Sequence, residues 1–120
     1  MLERELAEFG RRLGMANLAF HENGMAVLEI ESLGRLCLEQ DGDDLLIYMT
    51  ASVPESDREA PRRVLERCDY RYAHPFTLVG GLYKSRIMLL VRLPQQRISA
   101  VQIENAARFL AEELHSLVKG

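Results

Sequence analysis

The side chains in this sequence best suited to chemistry are two cysteines, three histidines and a knot of acids, and their spacing assembles no reactive site. Cys37 and Cys68 lie far apart in the sequence and away from any His-rich stretch. A zinc site needs clustered ligands, and isolated cysteines in a reducing compartment read as thiols of the core. A nucleophilic cysteine needs a base within reach, and no spacing brings His21 or His74 to Cys37. His115, beside Leu114 on a helical stretch, reads as a surface residue favoured by the helix C-terminus. His74, before Pro75, reads as a turn residue. No two histidines have the i, i+4 spacing of a helical metal site. Asp41, Asp43 and Asp44 crowd a hairpin tip, where acids are ordinary turn chemistry, and the spacing of a calcium loop is missing. Gly80-Gly81 lacks the Lys-Ser/Thr that completes a phosphate-cradling loop. No catalytic residue, metal ligand, cofactor or ATP-driven step is expected.

Composition narrows the class further. The 120 residues are 48% hydrophobic, enough for one core and one domain over residues 1–120. Fifteen basic and 18 acidic residues leave a formal net charge of −3, mixed along the chain. Nucleic-acid binding needs a basic stripe to neutralise phosphates, and Arg11–Arg12 and Arg62–Arg63 each have acids nearby. The longest apolar run is Ile87 to Val91, against about 20 residues for a membrane span. The opening MLERELAEFGRR is charged throughout, unlike a secretory leader. The expectation is a cytoplasmic protein with no nucleic-acid partner and no membrane insertion.

The elements follow from periodicity. Leu2, Leu6, Phe9 and Leu13 make one stripe of an amphipathic helix over about residues 2–13, closed by Gly14. Residues 25–31 and 35–40 alternate as half-buried strands, and Asp41-Gly42 predicts a hairpin into a third strand at 45–50. Ser56 and Glu59 suggest a capping box. Val64, Leu65, Cys68 and Tyr72 give helical spacing that His74-Pro75 ends. Phe76 to Leu82 and Arg86 to Leu93 read as two further strands, with a bulge or bend at Gly80-Gly81. Ser99 and Gln102 form a capping box for a last helix, striped by Ile103, Ala107, Leu110, Leu114 and Leu117. The order α-β-β-β-α-β-β-α, with short turns between strands, predicts an α+β fold on a mostly antiparallel sheet.

The informative feature is apolar excess. In the last strand Ile87, Leu89, Val91 and Leu93 take one face, and Met88 and Leu90 the other. In the third strand Leu45, Ile47 and Met49 oppose Leu46 and Tyr48. A strand apolar on both faces must be covered on both. Either the three helices do this within the chain, or a second subunit or a client covers part of it. Exposed apolar area of that extent marks an interaction site.

These residues resemble a known family, the class I chaperones of bacterial type III secretion (the Tir-chaperone-like family). Three stretches carry the likeness: LERELAEFGRRLG; the meander with its acidic turn and LLIYM; and SRIMLLVRLPQQRISAVQIENAARFLAEELHSL. The resemblance spans essentially the whole chain, and the family has no catalytic signature to carry over.

The resemblance implies a dimer, either with a second copy or with a related chaperone, formed by the second helix and fourth strand. Val64, Leu65, Cys68, Tyr70, Tyr72, Phe76 and Leu78 are its candidates. It implies binding of the N-terminal segment of a secreted effector in extended form, keeping that segment soluble and competent for secretion without ATP. Apolar patches on the first helix and first strands would receive it, with Leu2, Leu6, Phe9, Leu13, Phe20, Val27, Leu36, Leu38 and Ile47 as candidates. The proline-bearing linker from Thr50 to Pro61 and the short second helix depart from the pattern, and homodimer and heterodimer both stay open. The alternatives are a non-catalytic interaction subunit of another complex, or a small enzyme with an unrecognised site.

Overall fold

A computed structural model describes residues 2–30, 34–69 and 74–119. The elements are α1 (Leu2–Arg12), β1 (Met25–Ile30), β2 (Gly34–Asp41), β3 (Asp44–Ser52), α2 (Ala60–Arg67), β4 (Leu78–Tyr83), β5 (Arg86–Pro94) and α3 (Ala100–Lys119). The strands form one antiparallel sheet in the order β1-β2-β3-β5-β4. β4 and β5 form a hairpin whose second strand inserts beside β3, so β1 and β4 are the two edges.

Period-two alternation decides which side chains meet the helices. Ala26, Leu38, Ile47, Val91 and Leu78 lie in one row across all five strands, and Leu28, Leu36, Met49 and Leu89 in the next. All are buried. They join Leu2, Leu6 and Phe9 of α1, Val64 of α2, and Ile103, Leu110, Leu114 and Leu117 of α3 in one core. The three helices therefore cover the same face of the sheet. Each fully buried large side chain contributes about 1.5–3 kcal/mol, so this face carries most of the stability.

Local chemistry sets the helix ends. Ser99 and Gln102 form the expected capping box: the Gln102 N–H donates to Ser99 Oγ at 3.1 Å, and the Ser99 N–H to Gln102 Oε1 at 3.0 Å. Glu5 Oε1 accepts from the Ala100 N–H at 2.9 Å, which fastens α1 to the start of α3. α2 begins earlier than its apolar spacing suggested, because Pro61 sits within the first turn, where its missing N–H costs nothing. The Ser56/Glu59 capping box does not form; Asp57 accepts the Glu59 N–H instead, at 3.3 Å. α2 stops at Arg67, short of Tyr72.

The expected bulge at Gly80-Gly81 is also absent, since β4 pairs with β5 one to one through both glycines. Gly80 serves packing. A Cβ there would stand 2.7 Å from Cys68 Sγ and 2.8 Å from Val64 Cγ1, so only glycine lets α2 sit this close to β4. Arg63 ties the helices together, donating to both oxygens of Asp57 and to the Leu117 carbonyl.

Candidate functional site

Among the described residues, no helix lies over the opposite face of the sheet. One residue along from the core row, Val27, Cys37, Tyr48, Leu90 and Val79 form a second row across all five strands. Its ends are open, with Val27 41% and Val79 50% exposed, Tyr48 and Leu90 are half-buried, and the smaller Cys37 between them is buried. Met25, Leu46 and Met88 flank the row and are also half-buried. These eight positions are the alternates to the core residues of their strands.

Charged side chains fringe this apolar band, some in ion pairs and others hydrogen-bonded to neutral groups. Arg35 holds Glu29 at 2.8 Å. Arg92 reaches Asp41 at 3.1 Å and Asp44 at 2.9 Å. Arg86 donates to Thr50 Oγ1 at 2.7 Å, and the Tyr48 hydroxyl donates to Glu39 Oε1 at 3.1 Å. A rim of satisfied charges around an apolar strip suits an apolar partner better than a charged one.

Burial raises the Cys37 thiol pKa above its ordinary value, against a smaller opposing effect of its hydrogen bond with Tyr48. The Tyr48 phenol is likewise raised, first by burial. Cys68 is raised by burial too. None of the three is poised as a nucleophile or base, since each is held in its neutral form. Among the described residues no three His, Cys, Asp or Glu side chains gather as metal ligands, and no helix is long and apolar enough to cross a membrane.

A second exposed apolar area lies at the β4 edge. Leu65 on α2 is 72% exposed, and Leu82 on β4 is 39% exposed. A cleft of about 410 Å³ between α2 and β4 is lined by Cys68, Asp69, His74, Pro75, Phe76, Thr77 and Leu78. His74 Nε2 pairs with the Arg67 carbonyl at 2.8 Å, and its ring meets Phe109 edge-on at 5.2 Å.

The structure divides the residues singled out in the sequence. Leu2, Leu6, Phe9, Leu36, Leu38 and Ile47 are buried beneath or within the helices, so in the folded chain they are core and not surface. Phe20 packs partly against that core. Leu13 and Val27 are exposed, but Leu13 lies at the end of α1 and Val27 on the far face. Among the dimer candidates, Val64 and Leu78 are buried, Cys68 and Phe76 are half-buried, and Leu65 is open. Tyr70 and Tyr72 lie outside the described residues. The sequence marked Leu46, Leu90 and Met88 as a second apolar face of β3 and β5 without placing them among the site candidates, and it gave no signal for Val79 and Leu82 of β4.

Fold and surface together define an α+β scaffold whose helix-backed sheet presents one uncovered apolar face. The model of the Tir chaperone protein (CesT) family matches residues 4–117, and the chain belongs to that family. Solved structures agree in fold. A chain of the ExsC–ExsE complex superposes with a TM-score of 0.79 at 22% identity, covering 98% of this chain and 91% of that one. The Yersinia pestis type III secretion chaperone SycH, in complex with a stable fragment of YscM2, gives 0.76 at 18% identity, covering 98% and 99%. A chain of the Pseudomonas aeruginosa ExoU–SpcU complex gives 0.68 at 16% identity, covering 99% and 96%. No curated protein matches the sequence.

Proposed function

We propose that this protein is a type III secretion chaperone that works in the bacterial cytoplasm. It holds the N-terminal segment of a secreted effector in extended form on the open side of its sheet, without catalysis and without ATP. The observation that carries this reading is the Val27–Cys37–Tyr48–Leu90–Val79 row, left uncovered in a member of the Tir chaperone family. Structural relatives named as a chaperone in complex with a partner or effector support it.

The physics is consistent. An unfolded segment loses conformational entropy when it is ordered, so it needs a long contact to bind at all. A row crossing five strands offers that length, and apolar contact gives affinity without demanding one sequence. Neutral thiols and a neutral phenol leave the surface chemically inert toward the client.

The same reading makes the protein a dimer, with a second copy or a related chaperone seated at the α2–β4 edge. Leu65 and Leu82 supply the exposed apolar contact there, and Cys68 and Phe76 lie in the adjoining cleft. Co-expression with candidate secreted proteins, purification and native mass measurement test the whole reading. The expected species contains two 13.7-kDa chaperone chains and one client. A monomer that retains none of the co-expressed proteins contradicts it.

A further inference from the structure

The strands carry three arginines, all on the open side of the sheet, and Arg86 differs from the other two. Arg35 and Arg92 each hold a carboxylate. Arg86 meets none among the described residues. Its Nη2 donates to Thr50 Oγ1 at 2.7 Å and its Nη1 to Ser52 Oγ at 3.4 Å. A guanidinium has five N–H donors, so these two hydroxyls leave most of them unused.

Met88 lies alongside. Thr50 faces it from β3 and Gly81 faces it from β4. Arg86 is two residues from Met88 on the same strand, so both project to the same face. Its bond to Thr50 draws the guanidinium toward the Met88 row. On the other side Gly81 brings no side chain; a Cβ there would touch Met88 Cε at 3.6 Å. What remains is a recess of about 290 Å³ lined by Thr50, Gly81, Leu82, Arg86, Ile87 and Met88. Thioether and guanidinium open into the same space.

The other described methionines lack this arrangement. Met25, on the same face, stands opposite Glu39, a carboxylate that accepts from Tyr48 and has no proton to donate. Met49 is fully buried, and the exposed Met15 lies beyond the end of α1.

We propose that Met88 is an oxidation site for hydrogen peroxide, that Arg86 positions the oxidant and holds the product, and that the oxidised chain releases its client. The sulfur lone pair attacks one peroxide oxygen and the O–O bond breaks. The departing hydroxide takes the proton of the transferred oxygen and leaves as water, so sulfur is oxidised to the sulfoxide as the peroxide is reduced. An Arg86 N–H donates to the departing oxygen, where negative charge develops, and afterwards to the sulfoxide oxygen. The consequence for the client rests on the chaperone reading above. A sulfoxide is polar where the thioether was apolar, and a client laid over it must strip that oxygen of water or of its bond to Arg86.

The site is tested on the free chain, with dilute hydrogen peroxide and peptide mass spectrometry of each methionine. Met88 oxidises faster than Met25, although both are half-buried, and Met49 resists. Arg86→Gln slows Met88 at least about fivefold and leaves the rates of Met15 and Met25 as they were. An unchanged Met88 rate in Arg86→Gln overturns the role of Arg86, and a Met88 that resists peroxide overturns the site.

For the client, peroxide is removed after treatment and dithiothreitol returns oxidised thiols to their reduced form. The chain is then mixed with the effector segment retained on co-expression, made as a peptide, and each variant is compared with itself before and after peroxide. Oxidation lowers the affinity of the unaltered chain at least about tenfold, and methionine sulfoxide reductases restore it. In Met88→Leu, whatever affinity the substitution leaves, peroxide changes it less than about twofold. An equal loss in Met88→Leu assigns the effect to another residue and overturns the proposal while the chaperone reading stands. If no effector segment is retained at all, the chaperone reading falls and client release with it, and the oxidation rates alone decide the site.

Discussion

On the helix side of the sheet, Leu38, Ile47 and Val91 lie in one row, and none is more than 1% exposed. One residue further along each strand, Val27, Cys37, Tyr48, Leu90 and Val79 make a row of similar composition whose two ends are 41% and 50% exposed. Residue type does not separate the two rows; what covers them does. Three helices spend their apolar stripes on the first, tied to one another through Glu5, Arg63 and the Arg12–Glu104 pair. The second is the face that, on the function proposed above, meets another polypeptide. Stability and function thus occupy alternate positions of the same strands, and a substitution reports on one or the other according to its parity.

The largest expected contrast comes from a charge placed on each row. Leu38→Asp buries a carboxylate with no partner and costs more than about 4 kcal/mol, a large part of a small domain's stability. Its product does not fold, as circular dichroism will show. Val27→Asp places the same carboxylate at an exposed edge position. It keeps the melting temperature within a few degrees and loses the client. If both variants unfold, or both bind, the division between the faces is wrong.

A smaller effect is expected where α2 seats on β4. Gly80→Ala forces a Cβ against Cys68 and Val64 and destabilises by about 1–3 kcal/mol. It weakens the dimer as α2 shifts, while a client held on the β1–β2–β3 part of the open face is still retained. Measuring mass and client content together separates the two losses.

The smallest effect is one of pH. Hydrogen bonds from Arg63, the leading cause, hold the Asp57 carboxyl below the ordinary carboxylate value. A depressed pKa stabilises the fold at pH above that ordinary value, and the stabilisation is lost as pH falls through the lowered one. Acid titration therefore loosens the α2–α3 contact below about pH 4, and Asp57→Asn removes that part of the acid sensitivity. An unchanged acid profile in Asp57→Asn would show that the carboxylate contributes nothing to it.

Much of this was legible in the sequence where the cause is local. The stripe of α3 and its Ser99–Gln102 box are set by residues within one turn of each other, and both formed as read. The ends of α2 were less legible: Pro61 falls too far along for a cap at Ser56, and the helix starts instead at Ala60 with Pro61 in its first turn. Gly80 looked like a bulge because its reason is tertiary, the nearness of Cys68 and Val64. The site was half legible. Alternation in β3 and β5 announced two apolar faces, but a period of two does not say which face the helices will take. Leu36, Leu38 and Ile47, candidates by resemblance, lie on the side that the helices cover, while Leu46, Leu90 and Met88, legible as the second apolar face, were not among the site candidates.

Methionines placed on each side allow the most direct test of that division. Met25 and Met88 are half-buried on the open face, Met15 is 38% exposed beyond the end of α1, and Met49 is fully buried. Mild peroxide converts accessible thioethers to sulfoxides, and peptide mass spectrometry can follow each residue with and without bound client. The account predicts that Met25 and Met88 oxidise in the free protein and are shielded in the complex, that Met15 oxidises at the same rate in both, and that Met49 resists in both. Shielding of Met15, with Met25 and Met88 unprotected, would place the client on the helix side and contradict it.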